Sequence, residues 1–237
     1  MKIVLTVFNV ILVATACLLA WMCYASIQIP VQFREDVAKR DAIVIQRLKD
    51  IRTLQELHRD MYQTYCSSWA ELINFAKTEK VSICVKKGTL TDQQLADGLN
   101  EKKAWMYLTN PKKYDKEIKK FGLDINTFSR DTVKVGILEN DSSMMSRNVM
   151  QWIDRIQYIP IEEAKNDTFE LTLGSVTTAS GYNMSLFQAR VPYEVYLRGL
   201  NEGELANKIA ERKEQDKFPG LQVGDAEQAN NNAGNWE

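Results

Sequence analysis

Hydrophobic and polar positions fall into three regimes along this chain. From Ile3 to Phe33 there is no Asp, Glu, Lys or Arg, and the first 23 of these residues, Ile3–Ala25, are mostly large and apolar. A helix over that core would extend about 35 Å at 1.5 Å per residue, enough to cross a hydrocarbon layer of about 30 Å. A charged stretch follows, in which Val44, Leu48, Ile51, Leu54, Leu57, Met61 and Tyr65 recur in steps of three or four. That spacing predicts a helix from about 31 to 65 with one apolar stripe, and Arg47, Lys49, Asp50, Arg52, Glu56, Arg59 and Asp60 on its other faces. The stripe needs cover, from the body of the protein or from a second copy in a coiled coil.

The third regime alternates short helical and strand-like runs. Ser68-Trp69-Ala70-Glu71 reads as a capping box opening a short helix, and VSICVK (81–86) as a strand ended by Gly88. Thr91 starts another helix, and Pro111 and Gly122 bracket a third. Further on, DTVKVGIL, TFELTLGSV and SLFQARVPYEVYL are strand-like, and MMSRNVMQWIDRI between them is helix-like. Residues 174–181 form a hairpin connection, and a helix over 200–216 precedes the end. Helices preceding a mostly antiparallel sheet define an α+β body. The expected organisation is a membrane anchor over 1–30, a helical stalk over 31–66, an α+β extracytoplasmic domain over 67–218 and a flexible tail over 219–237.

The apolar run is longer than the roughly 7–15 residues of a signal-peptide core, which favours an uncleaved single span. Cutting after Ala14-Thr15-Ala16 would leave Leu18, Leu19, Trp21 and Met22 at a new N-terminus. The same site followed by Cys17 also reads as a lipobox, so a lipoprotein is the alternative. The apolar continuation LLAWMCYA suits a bilayer better than a polar tether, and Trp21 and Tyr24 lie where amphipathic rings favour the headgroup layer. Lys2 before the span favours an N-terminus inside, while Arg34, Lys39 and Arg40 after it, nearly cancelled by Glu35, Asp36 and Asp41, argue the other way; the expectation is an inner-membrane span with the body in the periplasm. Cys66 and Cys84, the two cysteines of the body, permit one disulfide there, and two free thiols account for them equally well.

Thirty basic residues balance thirty-one acidic ones, which argues against a nucleic-acid partner. One local excess stands out: Lys102, Lys103, Lys112, Lys113, Lys116, Lys119 and Lys120, interleaved with Trp105, Tyr107 and Tyr114. It is a candidate surface for an anionic partner, or a solvated face with its aromatics turned inward. No GxSxG, GxxxxGK[ST], GxGxxG, HExxH or CxxC occurs, and the single histidine, His58, has no second histidine or cysteine pair nearby in sequence. The adjacent pair Glu162-Glu163 is the one acidic couple of note. A non-enzyme without cofactor is expected, its partners being the bilayer and other envelope proteins or itself. The Asn-rich end carries Trp236 beside Glu237, a ring and a carboxylate that a pocket in cis or in a partner can capture.

Two resemblances follow from these runs. A membrane helix passing into AIVIQRLKDIRTLQELHRDMYQTY and then a small α+β body is similar in layout to type IV pilins and pseudopilins. It departs from them in having neither a short basic leader ending in Gly nor a Glu five residues into the apolar run. The blocks WIDRIQYIP and FPGLQVGDAEQANNNAGNWE resemble a family of uncharacterised single-pass envelope proteins from Gram-negative gut-type bacteria, a likeness that implies no activity. A non-catalytic binding or assembly component is the expectation; a pilin-like subunit and a glycan-binding lipoprotein or hydrolase are the alternatives.

Overall fold

The computed structural model describes residues 2–178 and 181–237, with the side chains of 11–24, 26–178 and 181–237. The apolar run and the charged stretch form one helix of 61 residues, α1 (Lys2–Tyr62), about 92 Å long at 1.5 Å per residue. Pro30, expected to separate anchor from stalk, lies inside it. It costs the Ser26 carbonyl its partner four residues on, and the helix continues on both sides.

Along α1 the surroundings change. From Ile11 to Ile29 every described side chain is exposed, Trp21, Tyr24 and Ile27 at 66%, 64% and 68%. From Phe33 the helix enters its own domain, where Phe33, Val37, Val44, Leu48, Ile51 and Leu54 are buried. The stripe therefore begins before Val44. It also turns at its far end: Gln55 and His58 are buried, Leu57 is half-buried and Met61 is exposed. What faces those last turns is the loop after Tyr62, which presents backbone carbonyls and an amide. Polar side chains match that surface and methyl groups do not.

By internal contacts the chain divides into two units, Met1–Phe75 with Gln151–Glu237, and Ala76–Met150. The body expected as one domain over 67–218 is thus two, the second inserted in sequence within the first.

Helix α2 (Trp69–Thr78) leads to the inserted unit. Its cap is the expected box displaced by one residue. The Glu71 amide donates to Ser68 Oγ at 3.3 Å, while the Glu71 carboxylate accepts from the Ser67 amide at 2.8 Å. In the insert, β1 (Lys80–Lys87) and β2 (Ser129–Gly136) form a two-stranded antiparallel ribbon. Between them run α3 (Asp92–Ala96), α4 (Glu101–Thr109) and α5 (Pro111–Phe121). Each has a local reason to start or stop where it does. Thr91 and Gln94 make a complete capping box, Asn100 accepts from the Lys103 amide, Pro111 occupies the first turn of α5, and Gly122 ends it at φ 60°. Leu99, Ala104, Leu108, Leu123 and Phe128 form the core of this unit, with Trp105, Tyr107, Ile118 and Phe121 packed against it. Arg130, on β2, is buried and stacks 4.1 Å from the Phe128 ring. Its guanidinium donates to the carbonyls of Lys87, Gly88 and Ser129 and pairs with Glu101.

After β2 come α6 (Ile137–Asn140) and α7 (Ser142–Ser146). The helix expected over 144–156 stops at Ser146, because Asn148 adopts φ 50°, and single 3-10 turns follow at Val149–Gln151 and Ile153–Arg155.

The first unit resumes with an antiparallel sheet in the order β3 (Glu170–Thr177), β4 (Asn183–Pro192), β5 (Gly220–Gly224). The tip of the expected hairpin connection, 179–180, lies outside the described residues. Phe187, Ala189 and Val191 alternate inward along β4, as a period of two requires, and α1 packs across β4 and β5. The strand expected to continue to Leu197 ends at Pro192, and Tyr193–Tyr196 is a helical turn, α8. Helix α9 (Glu202–Glu214) connects it to β5. Only glycine fits at Gly224, where φ is +70° and a Cβ would meet the Phe187 carbonyl.

The tail expected to be flexible is ordered against β5. Val223 bridges Gly234, the Gly224 amide donates to the Ala233 carbonyl at 3.1 Å, and the Asn235 amide donates to the Gln222 carbonyl at 3.1 Å. Asn231 and Asn232 take φ values of 55° and 56°, which asparagine tolerates better than most residues. The Asn-rich run is therefore a turn and not a linker.

Candidate functional site

Three polar constructions meet on the domain half of α1. The first is a clamp. Arg40 donates to the carbonyls of Tyr196 and Arg198 at 3.0 and 2.8 Å and pairs with Glu163 at 2.7 Å. Tyr196 donates its hydroxyl to Asp41 at 2.6 Å. Burial raises the Asp41 carboxyl above its ordinary range against the lowering effect of that bond, and burial together with the Asp41 charge raises the Tyr196 phenol. Arg47 stacks 3.8 Å over Trp152 and donates to the Arg155 carbonyl. The acidic couple read from the sequence is committed elsewhere: Glu163 to Arg40, Glu162 to Lys165. These are the ties of a helix built into its own domain.

The second construction holds the C-terminus. Arg52 pairs with the Glu237 side chain at 2.8 Å and donates to the Asn232 carbonyl at 3.3 Å. The hydrogen bond from Arg52 holds the Glu237 carboxyl below the usual range. The Asn232 side chain is buried between Glu56 and the Tyr65 hydroxyl. Trp236 is half-buried with its ring against Gly234, and its Nε1 is buried without a hydrogen-bond partner among the described residues. Trp236 and Glu237 thus dock in cis, on α1 and the turn beside it.

The third lies at the end of α1, where the chain folds back. His58, Cys66 and Glu71 bring one nitrogen, one sulfur and one oxygen within 4.8 Å of one another. His58 stands between the Tyr62 and Phe75 rings, each at 4.9 Å between centroids. A thiol, an imidazole and a carboxylate are also the parts of a nucleophilic site. The state of the thiol opposes that use. Cys66 is fully buried, and burial first, then the nearby Glu71 charge, pushes its thiol up to about 12. A nucleophilic cysteine needs the reverse, a lowered pKa and access. The backbone and side-chain hydrogen bonds from Ser67 hold Glu71 below its ordinary range despite some burial. The sequence signal for this group is weak, because the spacing His58, Cys66, Glu71 becomes a cluster only when the loop at 63–66 reverses the chain. That reversal depends on Gln63 at φ 62°. His58 is buried.

Cys66 and Cys84 are both free thiols, and the disulfide the sequence permitted is not formed. Cys66 is buried in the first unit and Cys84 is exposed on β1 in the second.

The lysine cluster lies wholly in the inserted unit, all seven side chains exposed, while Trp105 and Tyr107 turn toward the core. Lys119 pairs with Asp115, and Lys113 and Lys120 lie over the Tyr114 and Phe121 rings. Lys103, Lys116 and Lys120 also border a cleft of about 330 Å³ with Tyr107 and Phe121, but Asp97 and Glu117 share its rim. The cleft is amphoteric, and the aromatics serve packing first.

Comparison with protein-family models, curated proteins and solved structures finds no match to this chain.

Proposed function

We propose that the protein is a single-pass membrane protein that acts by binding, as a non-catalytic assembly component of a cell envelope. The continuity of α1 carries this reading. Its apolar half, exposed from Ile11 to Ile29, is long and apolar enough to cross a membrane, and its other half is the spine of the first unit. Soluble monomers rarely leave apolar surface of that extent in water, and a bilayer covers about 20 helical residues. With no flexible linker between span and spine, the domain is held at a set distance from the bilayer, which suits a scaffold better than a tethered enzyme. The charge pattern around the span favours the inner membrane with the body in the periplasm. The exposed lysines of α4 and α5 are the surface offered to an anionic partner.

The exposed Cys84 and buried Cys66 give a direct test. In a chain carrying Cys17→Ala and Cys23→Ala, a small membrane-impermeant maleimide labels Cys84 in intact cells. The protein remains in the membrane after carbonate extraction, with the mass of the unprocessed chain. Labelling only after permeabilisation would put the body in the cytoplasm. A lipid on Cys17 in the wild type, or a lost N-terminal segment, would sink the uncleaved span.

A pilin-like subunit is the second reading. It is favoured by the division of α1 into an exposed apolar half and a half laid across the antiparallel sheet β3-β4-β5. Removal of a leader together with self-assembly of the processed chain would select it.

A further inference from the structure

We propose that His58, Cys66 and Glu71 form a binding site for a divalent metal of the zinc type, with three protein donors and a fourth position open to water. The mixture of thiolate, imidazole and carboxylate donors suits zinc, and their atoms already lie within 4.8 Å of one another. Bringing them onto one ion needs side-chain adjustments and no rearrangement of the fold.

Each donor is oriented by the same short loop. His58 Nδ1 lies 2.6 Å from the Thr64 carbonyl, which only accepts, so the ring carries its hydrogen on Nδ1 and its lone pair on Nε2. An imidazole held by a backbone carbonyl through its far nitrogen is the usual outer-shell arrangement of a metal-bound histidine. Gln55 takes both backbone groups of Cys66: its Oε1 accepts from the Cys66 amide at 2.8 Å, and its Nε2 donates to the Cys66 carbonyl at 3.2 Å. Glu71 Oε2 accepts from the Ser67 amide and hydroxyl at 2.8 and 3.1 Å, which leaves the second oxygen to the ion. Tightening one end of this loop around a metal therefore tightens all three donors. Gln55 is fully buried and serves no other partner named in the fold, so its place is explained by fixing Cys66.

On binding, the S–H bond of Cys66 breaks, a sulfur–metal bond forms and the proton leaves to solvent. The thiolate and the Glu71 carboxylate balance the two charges of the ion, and His58 binds neutral. This site stands independently of the membrane reading, since every donor lies in the folded domain.

The test uses the full chain in detergent with Cys17→Ala, Cys23→Ala and Cys84→Ser, so that Cys66 is the one thiol. One equivalent of cobalt(II) should produce a near-ultraviolet thiolate-to-metal charge-transfer band, lost on adding one equivalent of zinc. Zinc binding should release one proton per chain. Cys66→Ser abolishes the band. Glu71 is exposed, so Glu71→Gln keeps the fold, checked by circular dichroism, and should weaken zinc binding by at least about tenfold, the lower range of what losing even an outer-shell partner costs. No band at saturating cobalt, or zinc affinity unchanged in Glu71→Gln, would overturn the site.

Discussion

In the unit formed by 1–75 and 151–237, two arginines of α1 reach carboxylates 123 and 185 residues away: Arg40 to Glu163, Arg52 to Glu237. In the inserted unit, the lysines of α4 and α5 are exposed and the contacts they make are local: Lys119 on Asp115 four residues before it, Lys103 on the Gly98 carbonyl five residues before it, Lys113 and Lys120 over the rings of the next residue. A guanidinium offers several fixed donors that satisfy two carbonyls and a carboxylate at once, as Arg40 does, whereas an ammonium stays hydrated on a flexible stem. Charge in the first unit organises long-range packing. In the second it decorates a locally capped helix pair, and its one buried cation is again an arginine, Arg130. The inserted unit can close on contacts within its own 75 residues, while the first cannot complete its core until the C-terminal strand is made.

The largest effect expected from this contrast is at the spine. Leu48→Asp or Leu54→Asp places a charge at a fully buried position of α1 and should cost about 4 kcal/mol or more, enough to unfold the first unit in a denaturant titration. A wild-type transition in both variants would show that the stripe is not the core.

Arg130→Ala should be felt next, in the inserted unit. It strips donors from three carbonyls and should cost about 2–3 kcal/mol. A smaller loss than that of a surface lysine would erase the distinction between the two kinds of cation.

Truncation after Ala233 removes the bridge to Val223, the Trp236 ring and the Arg52–Glu237 pair, for roughly 2 kcal/mol from the first unit. The pair has a pH signature. Because Glu237 is held below the ordinary glutamate value of about 4.3, its contribution is present above that value and disappears as pH falls through the lowered one. Glu237→Gln should flatten this part of the acid dependence, read by hydrogen exchange over residues 225–237. The effect is small because the carboxylate is largely solvated. An acid profile identical to the wild type would show the pair to contribute nothing.

The smallest effect is expected from Lys103→Gln, Lys116→Gln and Lys120→Gln, each within about 0.5 kcal/mol of the wild type in stability. A large loss in thermal melting would make these lysines part of the fold and withdraw them as a docking surface.

The inserted unit was the more legible in sequence, because its information is local. The box at Thr91, the proline at 111 and the glycine at 122 each specify a backbone conformation within a turn or two. The β1 strand was readable from its β-branched run for the same reason. The sheet β3-β4 showed through its alternation, but β5 did not. Its five residues, flanked by glycines, carry no period long enough to read, and they form a strand because β4 and the returning tail lie on either side.

The sequence by itself determined that α1 is without charge from Ile3 to Phe33 and amphipathic beyond it, since periodicity and hydropathy need no partner. It also determined the α+β class. Tertiary structure alone decided that the charged face of α1 is a set of clamps, that the Asn-rich end is a turn locked to Arg52 and Glu56, and that a lone histidine meets a cysteine and a glutamate. Each depends on which distant backbone group arrives at a given face of the helix, and spacing along the chain does not encode that.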